Sequence, residues 1–297
     1  VKKLNAAKNW AVYHRGYNGG TDPATYWDIL NVGQAAQTNA TAWNNTEPTS
    51  TVFTVGTIDH ANNDGDTYVA YLFAHETGAD SLIQCGFYTG NGATPVGPVI
   101  NLGWEPQWLL VKNATSDSNH WYVYDTLRGW PVGNTVASQS ITTLLRANTN
   151  EAEVGGTWAA NNIGATGFQV RDDDAHFNTN GSNYIYVAIR GPMMKEPTAA
   201  TEVFAIDLEN DAAPYHTAGF PVDFEFYRPT GATYSYYSGS RLLGPFELEL
   251  NDDAAAGGAS ALVFDYMTGF KSSADGNSNV LAWMWKRAKG YFDVVAY

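Results

Sequence analysis

Trp121-Tyr122-Val123-Tyr124, then Arg128-Gly129, Trp158, Phe168-Gln169-Val170, Asn178-Thr179-Asn180-Gly181 and Tyr186-Val187-Ala188, reads as short strands separated by turns. Aromatic and β-branched residues favour strands, and Asn and Gly tolerate the positive φ of tight turns. The same landmarks occur earlier in the same order: Trp10-Ala11-Val12-Tyr13, Arg15-Gly16, Leu30-Asn31, Trp43, Phe53-Thr54-Val55, Asn62-Asn63-Asp64-Gly65 and Tyr68-Val69-Ala70-Tyr71. A third, more diverged set has Tyr236-Tyr237, Arg241, Leu250-Asn251, Phe264, Gly269-Phe270, Asp275-Gly276-Asn277 and Leu281-Ala282-Trp283. The arginines at 15, 128 and 241 keep a constant step of 113, and Trp43 to Phe53 matches Trp158 to Phe168. A period of about 110 is too long for a solenoid unit and suits a whole domain copied in tandem.

Ahead of its Trp-x-Val-Tyr landmark the second copy has a lead-in: Phe87-Tyr88-Thr89-Gly90-Asn91-Gly92, Gly103-Trp104-Glu105-Pro106 and Trp108-Leu109-Leu110-Val111-Lys112. The third has a weaker version in Gly219-Phe220-Pro221, Phe224 and Phe226, whereas Val1-Lys2-Lys3 matches only Val111-Lys112-Asn113. Phe292 to Tyr297 matches the approach to Tyr88. The expectation is a piece of a longer polypeptide that starts after one lead-in strand and stops as another begins. The first copy's open edge would then be covered by a lead-in from the same polypeptide or by Phe292 to Tyr297 of this or a neighbouring chain.

Val222 to Phe226 and Phe246 to Leu250 alternate strictly, as half-buried strands do. No helical stripe exceeds two turns, although Ala35-Ala36-Gln37 and Ser140 to Leu145 offer single helical turns. The fold expected is all-β: tandem antiparallel β-sandwich domains of lectin-like or jelly-roll type, at 1–80, 81–196 and 197–297. Trp10, Trp43, Trp121 and Trp158 recur at matched places and read as core anchors, and Tyr68 and Tyr186 should also be buried.

A net charge of −14 argues against nucleic acid and anionic membranes as partners. One cysteine, Cys85, rules out an intrachain disulfide, and its apolar run makes it a buried, inert thiol.

Acidic turns are the first candidates for chemistry. Asp64 with Asp66, and Asp172 with Asp174, are closely spaced hard oxygen ligands of the kind that hold calcium, but none completes the twelve-residue calcium loop and a plain turn is the competing reading. The six histidines show no metal-ligand spacing, and no nucleophile elbow or phosphate loop is present. Strand carboxylates such as Glu225 and Glu247 could form a glycosidase pair, but any β protein offers such candidates. Tyr17, Tyr26, Trp27 and Trp130 lie in polar loop contexts, where aromatic faces either bind sugar rings or line a subunit interface.

The lead-in of the second copy, with Trp121-x-Val123-Tyr124-Asp125-x-x-Arg128, Gly167-Phe168, Asn180-Gly181 and Tyr184-Ile185-Tyr186-Val187-Ala188, resembles a repeat module of large virion proteins in tailed phages of marine bacteria and cyanobacteria. The first copy shares the resemblance through Trp10 to Phe73, and the third shares it mainly near Ala282 to Lys286 and Gly290 to Val295. The resemblance implies a fibre, tail or capsid-decorating component assembled in the host cytoplasm and carried on the virion. It would have no catalytic residues or required cofactor, and its partners would be copies of itself, other virion proteins and host-surface glycan. The alternatives are a phage depolymerase acting on surface glycan and a cellular secreted lectin.

Overall fold

The computed structural model describes residues 1–78, 80–128, 130, 142–156, 161–171, 173–191, 197–231, 233–244, 246–253, 256–258, 262–272 and 279–294. Among them, regular structure is strand apart from short 3-10 turns, and there is no α-helix. The first copy contributes β1 (Lys2–Lys3), β2 (Ala11–Val12), β3 (Tyr26–Ile29), β4 (Gln37–Thr38) and β5 (Tyr68–Val69). The second contributes β6 (Ile83–Thr89), β7 (Val99–Asn101), β8 (Pro106–Asn113), β9 (Tyr122–Asp125), β10 (Thr142–Arg146), β11 (Val154–Gly156), β12 (Asn161–Gly164), β13 (Gly167–Val170) and β14 (Asn183–Arg190). The third contributes β15 (Phe204–Leu208), β16 (His216–Thr217), β17 (Phe224–Pro229), β18 (Tyr237–Ser240), β19 (Phe246–Glu249), β20 (Gly257–Gly258), β21 (Gly269–Phe270) and β22 (Val280–Trp285).

The second copy builds a six-stranded sheet in the order β11-β10-β9-β8-β14-β6, and β13 pairs with β7 in a smaller sheet. The third repeats that order as β20-β19-β18-β17-β22-β15, with β21 paired to β16. The first holds a reduced version, β4-β3-β2 beside β1-β5. Val1 and Ala11 exchange main-chain hydrogen bonds of 2.7 and 2.9 Å, which brings the start of the chain alongside β2. The repeat in sequence is therefore also a repeat in strand order.

Each larger sheet faces a smaller one across an aromatic core. Phe168 of β13 meets Tyr88 and Tyr186 edge-on, with centroids 6.4 and 5.4 Å away. In the third copy Tyr227, Val280, Ala282 and Met284 pack with Phe220, Phe264 and Phe270. Strand period decides which side chains enter: Val280, Ala282 and Met284 are buried, and Leu281, Trp283 and Trp285 alternate with them, half-buried. The architecture is all-β and sandwich-like, as expected.

Contacts divide the chain into two compact units. One holds Val1–Tyr124, Leu144–Asn161 and Thr166–Gly191, and the other holds Asp125–Thr143, Asn162–Ala165 and Pro192–Tyr297. The stretches assigned from sequence to separate domains at 1–80 and 81–196 thus share most of one unit. Tyr17, Ala114, Trp121 and Ile185 form one buried cluster, and Trp121 Nε1–H donates to the Ile29 carbonyl at 3.2 Å. The first copy's two- to four-residue strands bury too little surface alone, so they pack on the sheet that follows. Of Gly191 to Pro197, whose two prolines read as a stiff linker after the second copy, 192–196 lie outside the described residues.

Trp43, Trp121 and Tyr186 are buried as anticipated, and Trp158 lies outside the described residues. Trp10 and Tyr68 are only half-buried, because the reduced first sheet has no full second layer over them. Of the strands expected at 51–55 and 68–73, only Tyr68–Val69 forms. No helical turn forms at 35–37, where Gln37 instead pairs with Trp27, and Leu145 lies in β10. Ser140 lies outside the described residues. Phe292 packs on Phe224 of its own unit, centroids 5.6 Å apart.

The recurring Gly-Phe pair has a steric cause. A Cβ on Gly167 would lie 1.9 Å from the Ile100 carbonyl oxygen, and one on Gly269 would lie 1.9 Å from that of His216. Only glycine lets the two small-sheet strands approach this closely. Gly167→Ala and Gly269→Ala should each cost about 1–3 kcal/mol, read as a lower urea midpoint. Unchanged midpoints would mean that the strands separate at no cost.

Candidate functional site

The acidic turn of the first copy is held by lysines. Lys3, buried in β1, has Asp59 at 2.7 Å and also contacts Asp66, while Lys8 reaches Asp59 at 2.5 Å. Those ammonium groups hold the Asp59 carboxyl down to about 2 and the Asp66 carboxyl below its usual range. Asp66 also accepts from the Asn63 side chain, and Asp64 is exposed. The turn is thus closed by an ion-pair cluster with β1, a contact 63 positions back in sequence. Asp174 Oδ1 accepts the His176 N–H at 2.8 Å, and Asp172 lies outside the described residues. No group of three or more His, Cys, Asp or Glu side chains suited to a metal ion occurs among the described residues.

The four loop aromatics separate into two kinds. Tyr17 and Trp130 are fully buried, so neither offers a face to a sugar or a subunit, contrary to expectation. Asn18, Gly19 and Gly20 all have positive φ and turn the backbone sharply, which drives Tyr17 inward rather than leaving it in a solvated loop. Tyr26 and Trp27 are half-buried, and the Trp27 ring lies 5.3 Å from that of His60. Trp10 stacks on the exposed Tyr71 at 5.7 Å, an aromatic pair that was not singled out from sequence as a contact site.

His14 carries no sequence signal, yet it fixes this region. Its Nδ1 accepts the Gly16 N–H at 3.0 Å, so its Nε2–H donates to the Tyr186 carbonyl at 3.0 Å. Burial lowers its pKa to about 4, which keeps the ring neutral for both bonds. Gly16 fits because a Cβ there would meet the Phe87 Cβ at 2.8 Å. Cys85, on the same strand as Phe87, is buried, and burial pushes its thiol up to about 11, the inert state expected.

Beneath that loop lie two buried charges. Asp28 Oδ1 accepts the Ile29 N–H at 2.6 Å, while Oδ2 has no hydrogen-bond partner among the described residues. Lys112 donates to the Asn113 carbonyl at 2.9 Å. Burial raises the Asp28 carboxyl to about 7 against the pull of Lys112, and lowers Lys112 to about 8 against that of Asp28 and Asp117. No local pattern marks this pair, because 84 positions separate its members.

In the third copy Glu225 and Glu247 both lie opposite Gly239 in the ladder, from its two sides. Glu225 is fully buried, and burial, followed by the nearby Glu247, holds it well above the usual carboxylate range. Glu247 Oε2 accepts the Tyr227 hydroxyl at 2.6 Å. The register brings the two carboxylates together as a catalytic pair requires, but Leu262 packs at Gly239 beside the Glu225 carboxyl, where such a pair would need open space.

The fold and these sites define a tandem β-sandwich protein whose polar clusters are bound into its layers. The chain belongs to the family described as domain of unknown function DUF7483, which matches residues 1–191. That span ends where the first compact unit ends, at Gly191. No curated protein and no solved structure matches the chain. No helix among the described residues is long and apolar enough to cross a membrane.

Two tests follow from these clusters. Asp66→Asn should lower the melting temperature equally in calcium and in chelator, because the partner lost is Lys3. A larger drop in calcium would mark the turn as an ion site. The second concerns Asp28. Between about pH 4 and pH 7 the folded protein keeps a proton that the unfolded chain releases. The stability from that proton is complete below this window and lost as pH rises through the folded value. Asp28→Asn should flatten the fall of the urea midpoint with rising pH across the window. An unaltered slope would show that another group titrates there.

Proposed function

We propose that this chain is a non-enzymatic structural component of a phage virion, of the fibre, tail or capsid-decorating kind, with an adhesive role toward surface glycan. The observation that carries the reading is one strand order met twice in full and once in reduced form along a single chain. Tandem modules build length and repeat a surface, and weak contacts gain by multivalency. Two further features support it. The charged clusters at Lys3 and Arg241 join segments of the fold that are distant in sequence: Arg241, for example, donates to the Phe264 and Val222 carbonyls at 2.7 Å. The half-buried aromatics Trp10, Tyr26 and Trp27 sit in the first copy, and flat apolar faces of this kind suit sugar rings. In this reading the partners are copies of the chain, other virion proteins and host-surface glycan, and calcium is dispensable.

The register of Glu225 with Glu247 favours a second reading, a depolymerase. A glycan array probed with the intact chain, read beside a reducing-end assay on the bound glycans, separates the two. The adhesive reading expects binding that Trp27→Ala weakens by at least about tenfold, the size of one stacking contact. It expects no new reducing ends. Release of reducing ends that Glu247→Gln abolishes would replace it with the enzyme.

A further inference from the structure

In the second and third copies the strand next to the sheet's end has a neighbour on each side. β14 pairs with β8 and β6 over its length, and β22 pairs with β17 and β15. β5 occupies the same place in the first copy, but among the described residues it pairs only with β1, at Tyr68 and Val69. Beyond Val69 the backbone of residues 70–73 makes no main-chain hydrogen bond among the described residues. Tyr71, Leu72 and Phe73 are 66%, 71% and 58% exposed, a run of large apolar side chains standing in solvent.

The second layer is open in the same sense. Phe168 and Val170 of β13 are buried through pairing with β7. Their counterparts Phe53 and Val55 form no strand, and Val52 and Phe53 are 62% and 39% exposed. Two separate gaps therefore trace to one source. In the second copy β6 and β7, the two neighbours in question, come with β8 from the single lead-in stretch 81–113.

We propose that residues 51–55 and 68–73 form an acceptor for the lead-in segment of a further module of this kind, a three-strand segment patterned like residues 81–113. Its first strand would pair along residues 68–73, as β6 does along β14, and its second would pair along residues 51–55, as β7 does along β13. Main-chain hydrogen bonds supply affinity in such strand addition, and alternate side chains supply register. Residues 81–113 show the pattern that fits: Cys85, Tyr88, Ile100, Leu109 and Val111 are the inward residues of the equivalent segment in place. The acceptor is independent of the glycan reading, which it neither needs nor tests.

The experiment places residues 81–110 directly ahead of Val1 in the intact chain, since Val1 aligns with Val111. In parallel, the unaltered chain is mixed with a synthetic peptide of residues 81–113. Amide exchange at residues 70–73 and 51–55 is read in both, with the melting temperature. The chimera is expected to slow exchange at those amides by about 100-fold or more and to melt higher. The peptide should do the same saturably. Leu72→Pro removes the donor that faces the added strand, since its counterpart Arg190 donates to the Leu82 carbonyl at 2.9 Å; the segment is already exposed, so the unmixed variant should melt as the parent does while losing the peptide's protection. The proposal is overturned if neither form protects residues 70–73, or if Leu72→Pro leaves the protection intact. Concentration-dependent self-association of the unmixed chain that protects the same amides would also overturn it, by naming a second copy as the occupant.

Discussion

Strand β14 is the constraint on which the first unit depends. Tyr184 through Ala188 are all buried, so the strand presents apolar residues to both sides. A strand of this kind needs a layer on each face. The small sheet supplies one through Phe168, and the loop from His14 to Tyr17 supplies the other. His14 ties that loop to the strand by its carbonyl, while Lys112 and Asp28 are enclosed beneath it. A buried acid with an unpaired oxygen and a buried lysine cost stability, and the aromatic cover offsets that cost.

This dependence explains why two copies share one compact unit. The Arg15-Gly16-Tyr17 loop of the first copy belongs to the layer over the second copy's sheet. Arg128 and Trp130 are the repeat's counterparts of Arg15 and Tyr17, and the stretch Asp125–Thr143 is grouped with residues of the third copy. Trp130 is fully buried, as Tyr17 is. The compact units are thus offset from the sequence repeat.

The repeat, the all-β class and the Gly-Phe signature were legible from landmarks alone, because strand period and turn chemistry are local. The site residues were not, because their meaning depends on distant partners. Tyr17 and Trp130 stand among polar neighbours and read as loop aromatics, yet the sharp turn after Tyr17 puts its ring inside. Asp66 reads as an oxygen ligand, but its partner is Lys3. Propensity misled at 51–55 and 70–73 for a related reason: Phe53-Thr54-Val55 and Ala70-Tyr71-Leu72-Phe73 have strand composition, but a strand exists only with a neighbour to bond.

The same contrast separates residues that hold the fold from those that are exposed at its margin. In the second copy the strand residues are consumed by pairing: Tyr88 donates to the Phe177 carbonyl at 2.9 Å, and Asn178 bridges Asn91 and the Ala93 carbonyl. In the first copy equivalent composition is left over, in Val52, Phe53, Tyr71, Leu72 and Phe73. A chain with a net charge of −14 tolerates that exposure, since mutual repulsion disfavours edge-to-edge association of identical copies. That repulsion acts between whole chains and much less on a single added segment. The apolar, nearly uncharged stretch from Leu82 to Val111 carries one carboxylate, Glu105, ahead of Lys112. An open edge on an acidic chain is thus biased against its own copies and receptive to a short, weakly charged strand segment.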